Sequence, residues 1–217
     1  MPVAVKICGV TQVADAELCI AHGADAIGLN FHPKSSRYID PASARAIVQA
    51  IAGRALTVGV FVDASYEQIS SLKAETGIAC VQLHGDEPPA LLARFLPHAF
   101  KAIRVHDAAS LEHARAFGGE HILLDAYVPG QPGGTGRAFR WELAVELAKQ
   151  RRVTLAGGLT PENVARAVAT VRPFCVDVAS GVEQAGEPRR KDPARVRDFI
   201  AAAKGVQAAE GLPNPAG

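Results

Sequence analysis

AGGLTPENV (residues 156–164) and DVASGVE (residues 177–183) decide the fold. Each follows a short β-type run, 153–156 and 174–178. Each turns on small residues whose backbone N–H groups are open to an anion. Two such turns after consecutive strands are what a phosphate site at the C-terminal rim of a parallel barrel requires.

Working back toward the N-terminus, β-branched runs alternate with Ala-rich helical stretches. The remaining strands are expected at 3–8, 26–31, 57–62, 79–83, 101–105 and 122–126. Helical periodicity covers 13–21, 41–52, 66–75, 88–95, 110–117, 141–149, 161–170 and 193–203. The strands read as nearly continuous apolar runs, the pattern of strands covered on both faces. Eight βα units of about 25 residues fill the chain, so the expected fold is an α/β class (β/α)8 TIM barrel with phosphate-binding loops after strands 7 and 8. A doubly wound open sheet is the alternative, and eight units would make it unusually wide. A single domain is expected over 1–205, with a flexible tail over 206–217 that carries Gly, Pro and Asn without periodicity.

The bulk composition narrows the function. The chain has 217 residues, a formal net charge of +1 and one Trp, with no basic stripe to recruit nucleic acid. No apolar run is long enough for a membrane span, and MPVAVKICG is too short for a signal peptide. Cys8, Cys19, Cys80 and Cys175 are scattered without a CxxC pair, which points to free thiols in a reducing cytoplasm. The seven His show no HxH or HExxH spacing, so no metal is expected. The partner expected is a small anionic molecule, not nucleic acid or membrane. A monomer and a homodimer remain equally open.

In a barrel of this kind the reacting groups sit at the C-terminal strand ends. Cys8 ends the first strand and is a candidate general base. Lys6 shares its face and is expected to favour the thiolate, lowering the Cys8 pKa; a small buried hydrophobe is the other reading. Asp125 ends the apolar run HILL, where a raised pKa would let it serve as general acid; the alternative is an anchor for its loop. Asp177 either orients a substrate amine or caps the next turn, and His84 is a substrate contact or a structural His. Gly157 and Gly158 let backbone approach an anion, Thr160 and Pro161 read as a helix start, and Ser180 and Gly181 add donors. Arg37, in HPKSSRY, suits a carboxylate through its guanidinium fork, with a surface ion pair or a loop clamp as the other reading. The Gly/Pro segment 127–139 after strand six is long for a βα connection and reads as a substrate cover.

These segments closely resemble the phosphoribosylanthranilate isomerase family. KICG at 6–9, GADAIGLNFHPKSSRYI at 23–39, VGVFV at 58–62, VQLHGDE at 81–87, DAYVPGQPGGTG at 125–136, AGGLTPENV and DVASGVE match its blocks in order. The likeness runs from Lys6 to about Phe199. It implies a (β/α)8 barrel without cofactor or metal that carries out an Amadori rearrangement in tryptophan biosynthesis. The substrate would be N-(5-phosphoribosyl)anthranilate. It further implies Cys8 as base, Asp125 as acid and Arg37 on the anthranilate carboxylate. Gly158, Ser180 and Gly181 would be phosphate donors, Gly134 and Thr135 would lie in the covering loop, and Asp177 and His84 in the site. Ser36 replaces a proline often seen before this arginine, and Ala179 replaces a serine.

Three rivals remain at this point. An indole-glycerol-phosphate synthase would want a lysine acid and glutamates on several strands, and would have no use for Cys8. A histidine-pathway aminoaldose isomerase would favour paired aspartates and two phosphate sites, and a secondary activity of that kind stays open. A non-catalytic phosphosugar-binding barrel would not need Cys8 and Asp125 together.

Overall fold

The computed structural model describes residues 2–105, 107–125 and 141–210. Eight parallel strands close into a barrel: β1 Ala4–Cys8, β2 Ala26–Asn30, β3 Leu56–Phe61, β4 Cys80–Leu83, β5 Ala99–Arg104, β6 His121–Asp125, β7 Arg152–Ala156 and β8 Cys175–Val178. The helices are α1 Val13–Ala21, α2 Pro41–Ile51, α3 Tyr66–Thr76, α4 Pro89–Ala93, α5 Ala108–Arg115, α6 Glu142–Ala148, α7 Val164–Val171 and α8 Pro193–Glu210. The (β/α)8 expectation is met, and β1 pairs with β8, so the sheet has no edge. Among the described residues no helix is long and apolar enough to cross a membrane.

The registers fix which side chains face the barrel axis. Cys8 stands opposite Gly28, Gly28 opposite Val58, Val58 opposite Cys80, and Ala102 opposite Leu123. One inner cluster therefore gathers Ala26, Val58, Cys80, Phe100, Ala102, Leu123 and Ala156. The alternate residues point outward into the larger core between barrel and helices, where Val5, Ile7, Ile27, Leu29, Val81, Leu83, Leu124, Leu155 and Val176 are buried. This two-sided burial explains the continuous apolar runs. Period-two alternation then carries Lys6 and Cys8, Gln82 and His84, Asp125, and Asp177 to the inner face.

The structure departs from the sequence reading in three places. α7 begins at Val164, with Asn163 at its cap position, so Thr160 is not a helix cap. Asn163 instead folds back: its Oδ1 accepts from the Thr160 N–H at 2.8 Å and its Nδ2 donates to the Gly158 carbonyl at 2.9 Å. The Asn163 N–H that a Thr160 hydroxyl would have capped goes instead to the Thr160 carbonyl at 3.2 Å. Second, EQAGEPRRK forms a hairpin, β9 Glu183–Gln184 and β10 Glu187–Lys191, introduced by a 3-10 turn over Ser180–Val182. Third, α8 runs past position 205 to Glu210. The covering-loop reading of 127–139, with Gly134 and Thr135, lies outside the described residues.

Candidate active site

The first strand delivers the thiol. Lys6 and Cys8 are two residues apart and share the inward face of β1, with Lys6 almost fully buried. The Lys6 ammonium donates to Asp177 Oδ1 of β8 at 3.0 Å. Burial opposes the lysine charge, but Asp177 and Cys8 outweigh it and hold Lys6 protonated, its pKa raised. Gly28 on β2 makes the room: a Cβ there would stand 2.7 Å from Cys8 Sγ and 3.1 Å from Lys6 Nζ.

The expected lowering of the Cys8 pKa is overturned. Burial pushes the thiol up, Lys6 pulls it down, Asp177 pushes it up again, and the net direction is upward. The physical reason is first the burial of the thiol, which disfavours its charged form; Asp177, which shares the Lys6 charge, adds to it. Asp177 is the counter-ion of Lys6 through its Oδ1.

At the opposite wall, β6 ends in Asp125 and β4 runs into His84. His84 Nε2 lies 3.2 Å from Asp125 Oδ2, and its Nδ1 lies 2.8 Å from Gln82 Nε2. Gln82 is fully buried and can donate here, so Nδ1 accepts and Nε2 carries the hydrogen that Asp125 accepts. His84 is thus tied to the carboxylate. Behind it, the buried Lys101 ammonium donates to the Gly85 carbonyl at 2.6 Å and to Glu87 Oε2 at 3.1 Å. Glu87 in turn accepts from the N–H groups of Gly85 and Asp63, which ties the β3 and β4 loops together.

The glycine turns after β7 and β8 pack against each other. Gly157 and Gly158 have φ of 89° and 63°, a region that favours glycine. Gly181 packs so closely that a Cβ on it would run into the Leu159 carbonyl oxygen. The turn after β8 is braced by Arg195 Nε, which donates to the Gly181 carbonyl at 2.8 Å. Gly158 and Ser180 are exposed at this rim.

Arg37 reaches the same rim from the loop after β2. Ser35 Oγ accepts from Asn30 Nδ2 and from the Arg37 N–H, both at 3.1 Å, so the turn is organised without a proline at position 36. The Arg37 stem crosses Gly9, where a Cβ would collide with it. This places the side chain next to Cys8. Its head is already engaged: Nε donates to Glu183 Oε1 at 2.6 Å and Nη2 to Oε2 at 2.8 Å. Arg37 is thus held by a carboxylate, with Nη1 unpartnered among the described residues.

Cys8, Lys6, Asp177, His84, Asp125, Arg37 and the two glycine turns therefore all belong to the C-terminal end of the barrel. Sequence reasoning missed Gly28, Glu183, Lys191 and the Glu87–Lys101 pair. Glu183 closes the quoted DVASGVE, yet its partner lies 146 residues away. Lys191 ends RRK and is buried. Among the described residues no group of three or more His, Cys, Asp or Glu is placed to hold a metal ion.

Comparison with known proteins agrees with this layout. The family model for N-(5'-phosphoribosyl)anthranilate (PRA) isomerase matches residues 5–202. A relative of that name from Geobacter metallireducens is 44% identical over 202 residues, covering 93% of this chain and 99% of the relative. The crystal structure of phosphoribosyl anthranilate isomerase from Thermotoga maritima is 42% identical with a TM-score of 0.86, covering 94% of this chain and 99% of that one. A crystal structure of the isomerase in complex with reduced 1-(o-carboxyphenylamino)-1-deoxyribulose 5-phosphate is 40% identical with a TM-score of 0.82 over the same shares. With the match to the family model spanning nearly the whole barrel, the chain belongs to the N-(5'-phosphoribosyl)anthranilate isomerase family.

Proposed function

We propose that this protein catalyses the Amadori rearrangement of N-(5-phosphoribosyl)anthranilate to 1-(2-carboxyphenylamino)-1-deoxyribulose 5-phosphate, with Cys8 as general base and Asp125 as general acid. The observation that carries the reading is the single rim that joins an inward thiol on β1, a histidine-tied carboxylate on β6, and anion donors after β2, β7 and β8. Four free cysteines are in keeping with a reducing, cytoplasmic setting.

The chemistry follows from these groups. Asp125 gives its proton to the furanose ring oxygen as the C1′–O bond breaks and an iminium forms. The Cys8 thiolate removes the C2′ proton; the C–H electron pair becomes the C1′=C2′ double bond and the C1′=N π pair returns to nitrogen, giving an enolamine. Tautomerisation moves a proton from the C2′ hydroxyl to C1′ and leaves the ketone. The iminium is the electron sink. A buried thiol with a raised pKa is less often ionised at neutral pH, but its thiolate is the stronger base when formed. His84 hydrogen-bonds Asp125 and so fixes the direction of the acid.

The two anchors hold the substrate for these steps. The turns at Gly157, Gly158, Ser180 and Gly181 take the phosphate through backbone N–H groups and the Ser180 hydroxyl. Arg37 takes the anthranilate carboxylate with the donors that Glu183 leaves free. Pinning both charged ends places C2′ against the thiol, and such positioning supplies several kcal/mol of the barrier lowering. Freshly generated substrate tests the reading: its fluorescence should fall on addition of this protein and persist with Cys8→Ala. Persistence with the intact protein would reject the activity.

A further inference from the structure

Arg37, Glu183 and Lys191 form a chain of charges at the carboxylate end of the site. Glu183 receives the Arg37 fork on both oxygens, at 2.6 Å and 2.8 Å. It also accepts from Lys191 Nζ at 3.1 Å. The Lys191 side chain is fully buried and that of Glu183 is 7% exposed, whereas the Arg37 side chain is 26% exposed. Charge is therefore accessible only at the arginine end.

Each member is held from a different element. Lys191 Nζ also donates to the Ala179 carbonyl at 3.3 Å, and its backbone N–H donates to Asp15 Oδ2 of α1 at 3.0 Å. Glu183 directly follows the 3-10 turn that carries Ser180 and Gly181. Arg189 Nη1 of the same hairpin donates to the Tyr38 carbonyl at 2.5 Å, next to Arg37. The hairpin β9–β10 thus spans from the phosphate turn to the arginine loop.

The charge count explains why a carboxylate beside Arg37 does not defeat anion binding. Arg37 and Glu183 alone would be neutral, and an incoming carboxylate would face Glu183 repulsion with nothing to offset it. With Lys191 the group holds two cations and one anion, a net charge of +1 that matches one carboxylate. Burial works against the Glu183 charge, but Arg37 and Lys191 outweigh it and hold its carboxyl below the usual range, so the anion persists at neutral pH.

We propose that Glu183 is a positioning residue that aims Arg37 at the substrate carboxylate, and that Lys191 keeps the Arg37–Glu183 pair net positive so that it still attracts an anion. This rests on Arg37 as the carboxylate anchor. Glu183 touches no reacting atom; it acts through the arginine. A bidentate fork fixes both the plane and the direction of a guanidinium that has several rotatable bonds, and an amide in its place keeps the shape but presents one acceptor instead of two.

The test is a set of steady-state measurements on Glu183→Gln, Arg37→Ala, the double variant and Lys191→Met. Glu183→Gln should raise KM about tenfold or more with kcat within about threefold. It should leave the inhibition constant of inorganic phosphate unchanged, because Arg195 still braces the Gly181 turn. In the Arg37→Ala background the same change should add nothing to KM. Lys191→Met should raise KM in the same direction as Glu183→Gln. An equal rise of KM in both backgrounds, weaker phosphate inhibition, or an unchanged KM in Glu183→Gln would overturn the proposal. Should Arg37→Ala itself keep the wild-type KM, the anchor role of Arg37 fails; should it raise KM while Glu183→Gln does not, only the positioning role fails.

Discussion

The Lys6 ammonium lies 3.0 Å from Asp177 Oδ1, on the same inward face of β1 as Cys8. The pair has a consequence for the base. Lys6 favours the thiolate and Asp177 opposes it, so the Cys8 pKa depends on how the lysine charge is divided. Because the net direction is upward, the thiolate fraction grows as pH rises through and beyond the ordinary thiol range. We expect kcat/KM to be still climbing at about pH 9. Asp177→Asn removes the opposing charge and leaves Lys6 to the thiol, so its limb should move to lower pH. A wild-type profile already flat at neutral pH, or an Asp177→Asn limb displaced to higher pH, would contradict the assignment.

Gly28 sets the position of that thiol. An added methyl would stand 2.7 Å from Cys8 Sγ and 3.0 Å from Cys8 Cα, with the Lys6 ammonium at 3.1 Å. Overpacking of this kind costs about 1–3 kcal/mol in stability, and a displaced base costs rate. Gly28→Ala should lower kcat on the order of 100-fold with a smaller change in KM. Steady-state kinetics on the folded variant decides it; an unchanged kcat would show that the thiol does not need this space.

At the phosphate rim, Gly181 rests against the Leu159 carbonyl. Its Cβ cannot be accommodated without separating the two turns. Gly181→Ala is expected to weaken inhibition by inorganic phosphate about tenfold or more, the loss of at least one charge-assisted hydrogen bond. Inhibition equal to wild type would place the phosphate elsewhere.

His121 ties stability to acid pH at the far end of the barrel. Its ring packs tilted against Phe100 with ring centroids 4.2 Å apart, and its Nε2 lies 2.6 Å from Thr154 Oγ1. Burial, with nearby Lys6, Arg151 and Arg152, lowers its pKa to about 4. The unfolded chain therefore binds this proton more readily, and stability falls as pH drops from about 6.5 toward 4. The full effect is on the order of 3 kcal/mol. Urea titrations should show this loss in the wild type and a shallower one in His121→Gln. Equal slopes would remove His121 from the account.

The barrel was legible in the sequence because its strands are covered on both faces. Runs such as AIGLN and HILLD stand out whatever their neighbours. Cys8, His84, Asp125 and Asp177 could be placed because a strand end has a fixed meaning in this fold. What stayed hidden were partnerships between distant segments. Glu183 reads as the end of a turn, and only the hairpin carries it to Arg37. Lys101 reads as an ordinary strand lysine, yet it is buried against Glu87 and the loop carbonyls. The direction of the Cys8 pKa depends on how deeply the thiol is buried, and on an Asp177 that lies on the last strand, neither of which the local sequence displays. Thr160 has the local signature of a helix cap, yet α7 starts only after Asn163.

The central claim is that one thiol and one carboxyl on opposite walls divide the proton transfers. Single-turnover conversion of freshly made N-(5-phosphoribosyl)anthranilate by Cys8→Ala and Asp125→Asn, each confirmed folded by circular dichroism, tests it most directly. Each variant should react on the order of 1,000-fold more slowly than the wild type, with substrate still bound. Conversion within about tenfold of the wild-type rate by either one would contradict the account, because the proton assigned to that residue would then be moving by another route.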